Sequence, residues 1–247
     1  MLEFQNLSVW YTRQASRIES VSHSCVRYEN KKNIIQHADF CIDAGSTVGL
    51  LGVNGAGKTT FINTLSGIHS KYEAAGMRFR DKEITPMDHE FRLLRYTVFT
   101  DEQAFKYWTF SEYTAYIEKV YQKKTDADYL DYLINGFRFG EYRHEFIKNL
   151  STGNKKKVFL ITGLALQLPL LLLDEPLDGL DFSSSEFLYE VLREHKKYGS
   201  VLMSSHIAES FEQTCDKILL LDKGRISSRM ITGHTDIRKE LKEWLYE

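Results

Sequence analysis

The chain has 247 residues, 43% apolar and 27% charged, with 32 basic and 34 acidic side chains and a net charge of −2. These values belong to an ordinary globular protein and exclude a disordered chain, a collagen-like chain and a coiled-coil rod. The basic excess of a nucleic-acid binder is missing, so no nucleic-acid partner is expected. The length allows one large or two small domains and a core that needs neither disulfides nor metals. Cys25, Cys41 and Cys215 are odd in number and far apart, and read as reduced cytosolic thiols. The N-terminus has no basic-then-apolar leader pattern. The longest largely apolar run, residues 158–173, contains Thr162, Gly163, Gln167 and Pro169. It falls short of the roughly 18 residues of a membrane span. Any membrane role is expected to come through a partner.

Strand-like and helix-like stretches alternate along the chain, the pattern of an α/β fold. Residues 47–51 read as a short buried strand that runs into a glycine-rich turn, and 59–65 as the helix after it. Residues 96–99 form another strand candidate. Residues 106–149 differ and read as a small inserted helical subdomain. Ser111 is its expected first N-cap. Tyr113, Tyr116, Ile117, Val120 and Tyr121 then share one helical face. Leu130, Leu133, Ile134 and Phe137 repeat that spacing, with Gly136 expected to help end the helix. Residues 170–173 and 200–204 read as central strands buried on both faces. Ile237, Leu241, Trp244 and Leu245 place an apolar face on a C-terminal helix, 234–247. The expected organisation is one domain, 1–247, with an α/β core from 1–105 and 150–233.

Gly52-Val53-Asn54-Gly55-Ala56-Gly57-Lys58-Thr59 matches the phosphate-cradle pattern G-x-x-x-x-G-K-[ST]. Glycines let the backbone wrap a phosphate with several N–H groups pointing inward. The helix that follows presents its positive dipole end to the same anion. Lys58 would reach the β- and γ-phosphates, and the Thr59 hydroxyl would face Mg²⁺. Downstream, four leucines end in Asp174-Glu175-Pro176. Alone, Asp-Glu-Pro is turn-like. Beside a cradle, Asp174 suits a Mg²⁺ ligand and Glu175 an activator of water.

Together these motifs make the chain, over about 1–233, resemble the nucleotide-binding subunits of ABC transporters. The cradle GVNGAGKTT and the run from Leu173 to Asp181 are close to the family form. The resemblance implies a P-loop NTPase core of ABC ATPase type, with an antiparallel β part and the inserted helical subdomain. It implies ATP and Mg²⁺, with Asn54, Gly55, Ala56, Gly57, Lys58, Thr59 and Thr60 on the nucleotide. Glu175, His206 and Lys58 are the implied catalytic set. Thr59, Asp174 and Gln103 are the implied metal set, with Gln103 in the glutamine loop and Asp101 or Glu102 as alternatives. The family motif LSGGQ stands here as Leu150-Ser151-Thr152-Gly153-Asn154. Ser151 and Gly153 would close on ATP held by a second subunit, and Thr152 adds a Cβ that the family lacks. Leu180-Asp181 corresponds to the D-loop. Tyr28 is the expected adenine-stacking aromatic and Tyr11 the alternative. Lys155-Lys156-Lys157 reads as a solvated face.

The implied protein hydrolyses ATP in a dimer with itself or a related subunit. It would be cytoplasmic, on the inner face of the membrane, powering a separate transmembrane permease. The compact helical segment and the lack of a C-terminal regulatory domain resemble exporter-type subunits, some of which export peptides or antimicrobials. The competing reading is a soluble ABC-type ATPase not linked to transport. A single cassette, no long coiled coil and net charge −2 weigh against it.

Overall fold

The computed structural model describes residues 1–13, 30–101 and 104–231. Cys25, Tyr28, Glu102, Gln103 and the expected helix 234–247 lie outside the described residues. In chain order the elements are β1 (Leu2–Arg13), β2 (Asn30–Ile42), β3 (Thr47–Leu51), α1 (Lys58–Leu65), β4 (Tyr72–Glu73), β5 (Gly76–Phe79), β6 (Lys82–Glu83), α2 (His89–Leu93) and β7 (Arg95–Val98). Then come α3 (Phe110–Tyr121), α4 (Ala127–Gly136), α5 (Thr152–Ala165), β8 (Leu170–Leu173), α6 (Phe182–His195), β9 (Ser200–Ser204), α7 (Ala208–Thr214), β10 (Lys217–Asp222) and β11 (Arg225–Met230).

Two sheets result. One has the order β11-β10-β3-β9-β8-β7; its neighbours from β10 to β7 pair in parallel, and β11 closes one edge antiparallel. The other is antiparallel, in the order β2-β1-β5-β6, with β4 also on β1. The parallel sheet is buried on both faces, as its leucine-rich strands require. The period-two alternation of β8 divides its four leucines between the two sides. Leu171 and Leu173 join the core under α3 to α6. Leu170 and Leu172 join the core shared with α1 and the antiparallel sheet. Each of these buried leucines contributes about 2 kcal/mol. Val201 and Met203 of β9 follow Leu171, and Leu202 follows Leu170.

Parallel pairing has one consequence for function. The C-terminal ends of β3, β9, β8 and β7 come out side by side on one edge of the sheet. In open α/β sheets that edge is where ligands bind.

Three expectations about elements change. The N-cap of α3 is Thr109, two residues earlier than Ser111; its hydroxyl accepts from the Glu112 N–H while the Glu112 carboxylate accepts from the Thr109 N–H. Of the face expected on α3, Tyr113 and Ile117 are buried, but Tyr116 and Val120 stay exposed on its flank. Gly136 ends α4 without a left-handed conformation, which falls instead on Arg138 at φ 53°. Gly136 is required for another reason: a Cβ there would run into the Phe187 ring.

Candidate nucleotide site

The cradle leaves β3 at Leu51 and enters α1 at Lys58. Gly57 is the N-cap, at φ 111°, a region that L side chains rarely adopt, and a Cβ there would also strike Ile34. A glycine cap brings no side-chain acceptor, so the first N–H groups of α1 stay open for an anion. Lys58 is 8% exposed; its ammonium donates to the Gly52 carbonyl at 2.9 Å and lies 3.7 Å from Glu175 Oε1. Asn54, Gly55 and Thr59 are exposed, and Ala56 is half-buried. Thr60 is buried, with its hydroxyl 3.2 Å from the Tyr11 hydroxyl.

At the end of β8, Asp174 is 1% exposed. Its Oδ1 accepts from the Ser204 hydroxyl at 2.7 Å, and its Oδ2 accepts from the Thr100 hydroxyl at 2.7 Å. Two neutral donors orient the carboxylate without neutralising it. Glu175 follows with a left-handed backbone, φ 48°. Its N–H donates to the Ser204 oxygen at 2.9 Å, and its Oε2 lies 3.0 Å from His206 Nδ1. His206 is exposed, so its other ring nitrogen is not confined to the protein interior. Asp178 completes a group in which one ligand atom each from Glu175, Asp178 and His206 lie within 4.8 Å of one another.

Ser151 caps α5, its hydroxyl accepting from the Asn154 N–H at 3.2 Å. Gly153 packs on the backbone of Gly179, and a Cβ there would run into the Gly179 carbonyl oxygen. Both signature residues are tied to α5 and the Gly179 turn, not to the cradle. Asp181 caps α6, accepting from the Ser184 N–H and pairing with Lys157 at 3.0 Å. The Ser184 backbone bond, with Lys157 and the Ser183 and Ser184 hydroxyls, holds its carboxyl well below the usual carboxylate range.

The structure therefore gathers Lys58, Asp174, Glu175 and His206 at one sheet edge. It corrects the solvated-face reading of the lysine run: Lys156 and Lys157 are 6% and 5% exposed. Each helix-borne ammonium finds carbonyls inside the fold, and Lys157 also finds Asp181. Burial pulls the Lys156 ammonium below its ordinary pKa, against the pull of Asp178, Asp174, Glu175 and Asp101. Three groups escaped the sequence reading: Thr100, Ser204 and Lys156. A polar residue closing an otherwise apolar central strand was the available signal for Ser204; the other two had none.

A phosphate cradle after β3 and a buried carboxylate after β8, two parallel strands separated only by β9, define a P-loop nucleotide-binding protein. Residues 35–178 match the family model described as ABC transporter. AlbC of Bacillus subtilis (strain 168), described as an ABC transporter ATP-binding protein, is 35% identical over 224 residues, covering 88% of this chain and 94% of AlbC. The solved structure of an ATP-binding subunit of an ABC transporter aligns with TM-score 0.79 at 25% identity, over 100% of this chain and 98% of its own. A dimeric post-hydrolysis structure of the ATP-binding cassette MJ0796, bound to ADP and Pi, aligns with TM-score 0.72 at 18% identity, over 94% and 100% of the two chains. At that identity the second likeness speaks for the fold alone. The chain belongs to the ABC transporter family as an ATP-binding subunit, in a family that hydrolyses ATP to power transport. Its fold is that of an ABC ATPase, as the motifs implied. Among the described residues no helix is long and apolar enough to cross a membrane.

Proposed function

We propose that this chain binds Mg-ATP at the edge of its parallel sheet. It hydrolyses ATP between two copies of itself or between itself and a related subunit. The observation that carries this is the convergence of Lys58, Glu175 and His206, with Lys58 3.7 Å and His206 3.0 Å from the two Glu175 oxygens. Lys58 and the open N–H groups of α1 take the charge of the phosphates. Glu175 accepts the proton of the attacking water, and His206 holds that carboxylate in place. The oxygen donors Thr59 and Asp174 suit Mg²⁺, which when bound neutralises phosphate charge. Gln103 takes the glutamine-loop role in this reading, with Asp101 or Glu102 as the alternatives. Ser151 and Gly153 complete the site of the opposite subunit. Tyr11 takes the adenine in this reading, because its hydroxyl meets Thr60 beside the cradle and its ring is partly open to solvent.

The permease partner meets the rim of exposed aromatics formed by Tyr107, Tyr116 and Phe146, backed by Phe105 and Trp108. On this reading the chain sits on the cytoplasmic face of the membrane and serves the export of a peptide or antimicrobial. The compact helical segment is the support for export.

Glu175→Gln tests the centre of the proposal. The variant binds ATP as the wild type does, forms a lasting dimer in Mg-ATP by light scattering, and turns over on the order of 100-fold more slowly. Near-normal turnover would remove Glu175 from its role. For adenine, nucleotide titration should weaken severalfold in Tyr11→Ala and stay unchanged in Tyr28→Ala; the reverse pattern returns the role to Tyr28.

A further inference from the structure

Lys156 is a buried cation that the hydrolytic chemistry above does not use. It sits on α5, one turn past the signature residues Ser151 and Gly153. Its ammonium donates to the carbonyls of Phe99 at 3.2 Å, Thr100 at 3.1 Å and Glu175 at 3.3 Å. An ammonium has three donors and no acceptor, so this set uses it fully. The acceptors come from two loops far apart in sequence. Phe99 and Thr100 follow β7, where the chain leaves for the helical segment; Glu175 follows β8.

The Glu175 backbone is left-handed, a conformation that is strained for a residue with a side chain and persists only where the surroundings hold it. Two contacts do so. Ser204 accepts from the Glu175 N–H on one side, and Lys156 donates to the Glu175 carbonyl on the other. The direction of the carboxylate toward Lys58 and His206 depends on that backbone.

We propose that Lys156 is a positioning residue for ATP hydrolysis: it clamps the backbone of Glu175 and the loop after β7 to the signature helix, so that the carboxylate is aimed only when α5 is seated. This rests on the reading of Glu175 as the base. It adds a link within one chain from the signature helix to the opposite end of the same subunit's chemistry. The donors of Lys156 go to backbone carbonyls, so it acts on the chemistry through Glu175.

The test uses the full chain. Lys156→Met keeps the length and loses every donor; Lys156→Gln keeps N–H donors without the charge. In Lys156→Met, kcat should fall about 10- to 100-fold, while KM for ATP stays within about twofold and Mg-ATP-induced dimerisation by light scattering persists. Lys156→Gln should recover part of the loss. The double variant with Glu175→Gln should be no slower than Glu175→Gln alone, since both losses pass through one group. A wild-type kcat in Lys156→Met overturns the proposal, as does a loss that multiplies with Glu175→Gln. Equal loss of dimerisation, ATP binding and kcat overturns it too, showing a scaffold role. Should Lys156→Met fail to fold, Lys156→Gln carries the same comparison: wild-type kcat, or a loss that multiplies with Glu175→Gln, is again decisive. Failure of the base reading is separate, because it shows as normal turnover in Glu175→Gln alone.

Discussion

His195 shows how burial sets the sign of a residue's contribution. It is fully buried at the end of α6, and neither ring nitrogen has a well-formed hydrogen bond. Burial pushes its pKa down to about 4, and the Leu168 backbone offsets only part of that. The folded state therefore keeps the imidazole neutral, while the unfolded chain takes up a proton below about 6.5. Its contribution is intact above pH 6.5 and is lost as the pH falls toward 4, by roughly 3 kcal/mol in all. Urea unfolding of the wild type and His195→Leu at pH 7 and pH 4.5 checks this. The difference in stability between the two proteins should shift in favour of the variant at the lower pH; a constant difference would mean that His195 does not titrate with unfolding. Lys156 and Lys157 show the same limit from the other side. A run of three lysines reads as a solvated face because its partners, Phe99, Thr100, Phe137, Glu175 and Asp181, are 19 to 57 positions away.

Among the elements, the contact between the start of α5 and the turn before α6 is set by two glycines. Gly179, at φ 80°, lies directly against Gly153, and the Thr152 side chain covers the same turn. The Thr152 methyl thus lies beside the Gly179 turn of its own chain, while the residue as a whole stays exposed. In Gly153→Ala the methyl group meets backbone rather than a movable side chain, so α5 or the turn must shift. An overpacking cost of about 1–3 kcal/mol is expected, read as a lowered melting temperature, together with loss of the ATP-induced dimer. A variant with unchanged melting temperature would show that the turn yields freely. The cap of α3 is written in the sequence as the capping-box spacing Thr109-x-x-Glu112, a signal that the choice of Ser111 passed over. The close approach of Gly136 to Phe187 is not written there, because glycine at a helix end has a simpler meaning in sequence.

At the scale of the whole molecule, the signature residues and the cradle belong to separate groups of contacts. Ser151 and Gly153 are held on α5 and Gly179, while Lys58 and Glu175 meet at the ends of β3 and β8. If each site needs both groups, it needs two subunits. ATPase activity per molecule should then rise with protein concentration and level off once dimers dominate by light scattering. Activity per molecule that stays flat on dilution, down to where only monomers remain, would show a self-sufficient site. The cradle, the acidic strand end and the alternating element pattern were determined by the sequence, because each rests on residues adjacent in the chain or spaced by one strand or helix period. The tertiary structure alone decided that Ser204 and Thr100 hold Asp174, that Lys156 reaches Glu175, and that His206 meets Glu175. These are contacts across neighbouring parallel strands and a packed helix, whose register is set by burying both faces of the sheet, and no local spacing encodes it.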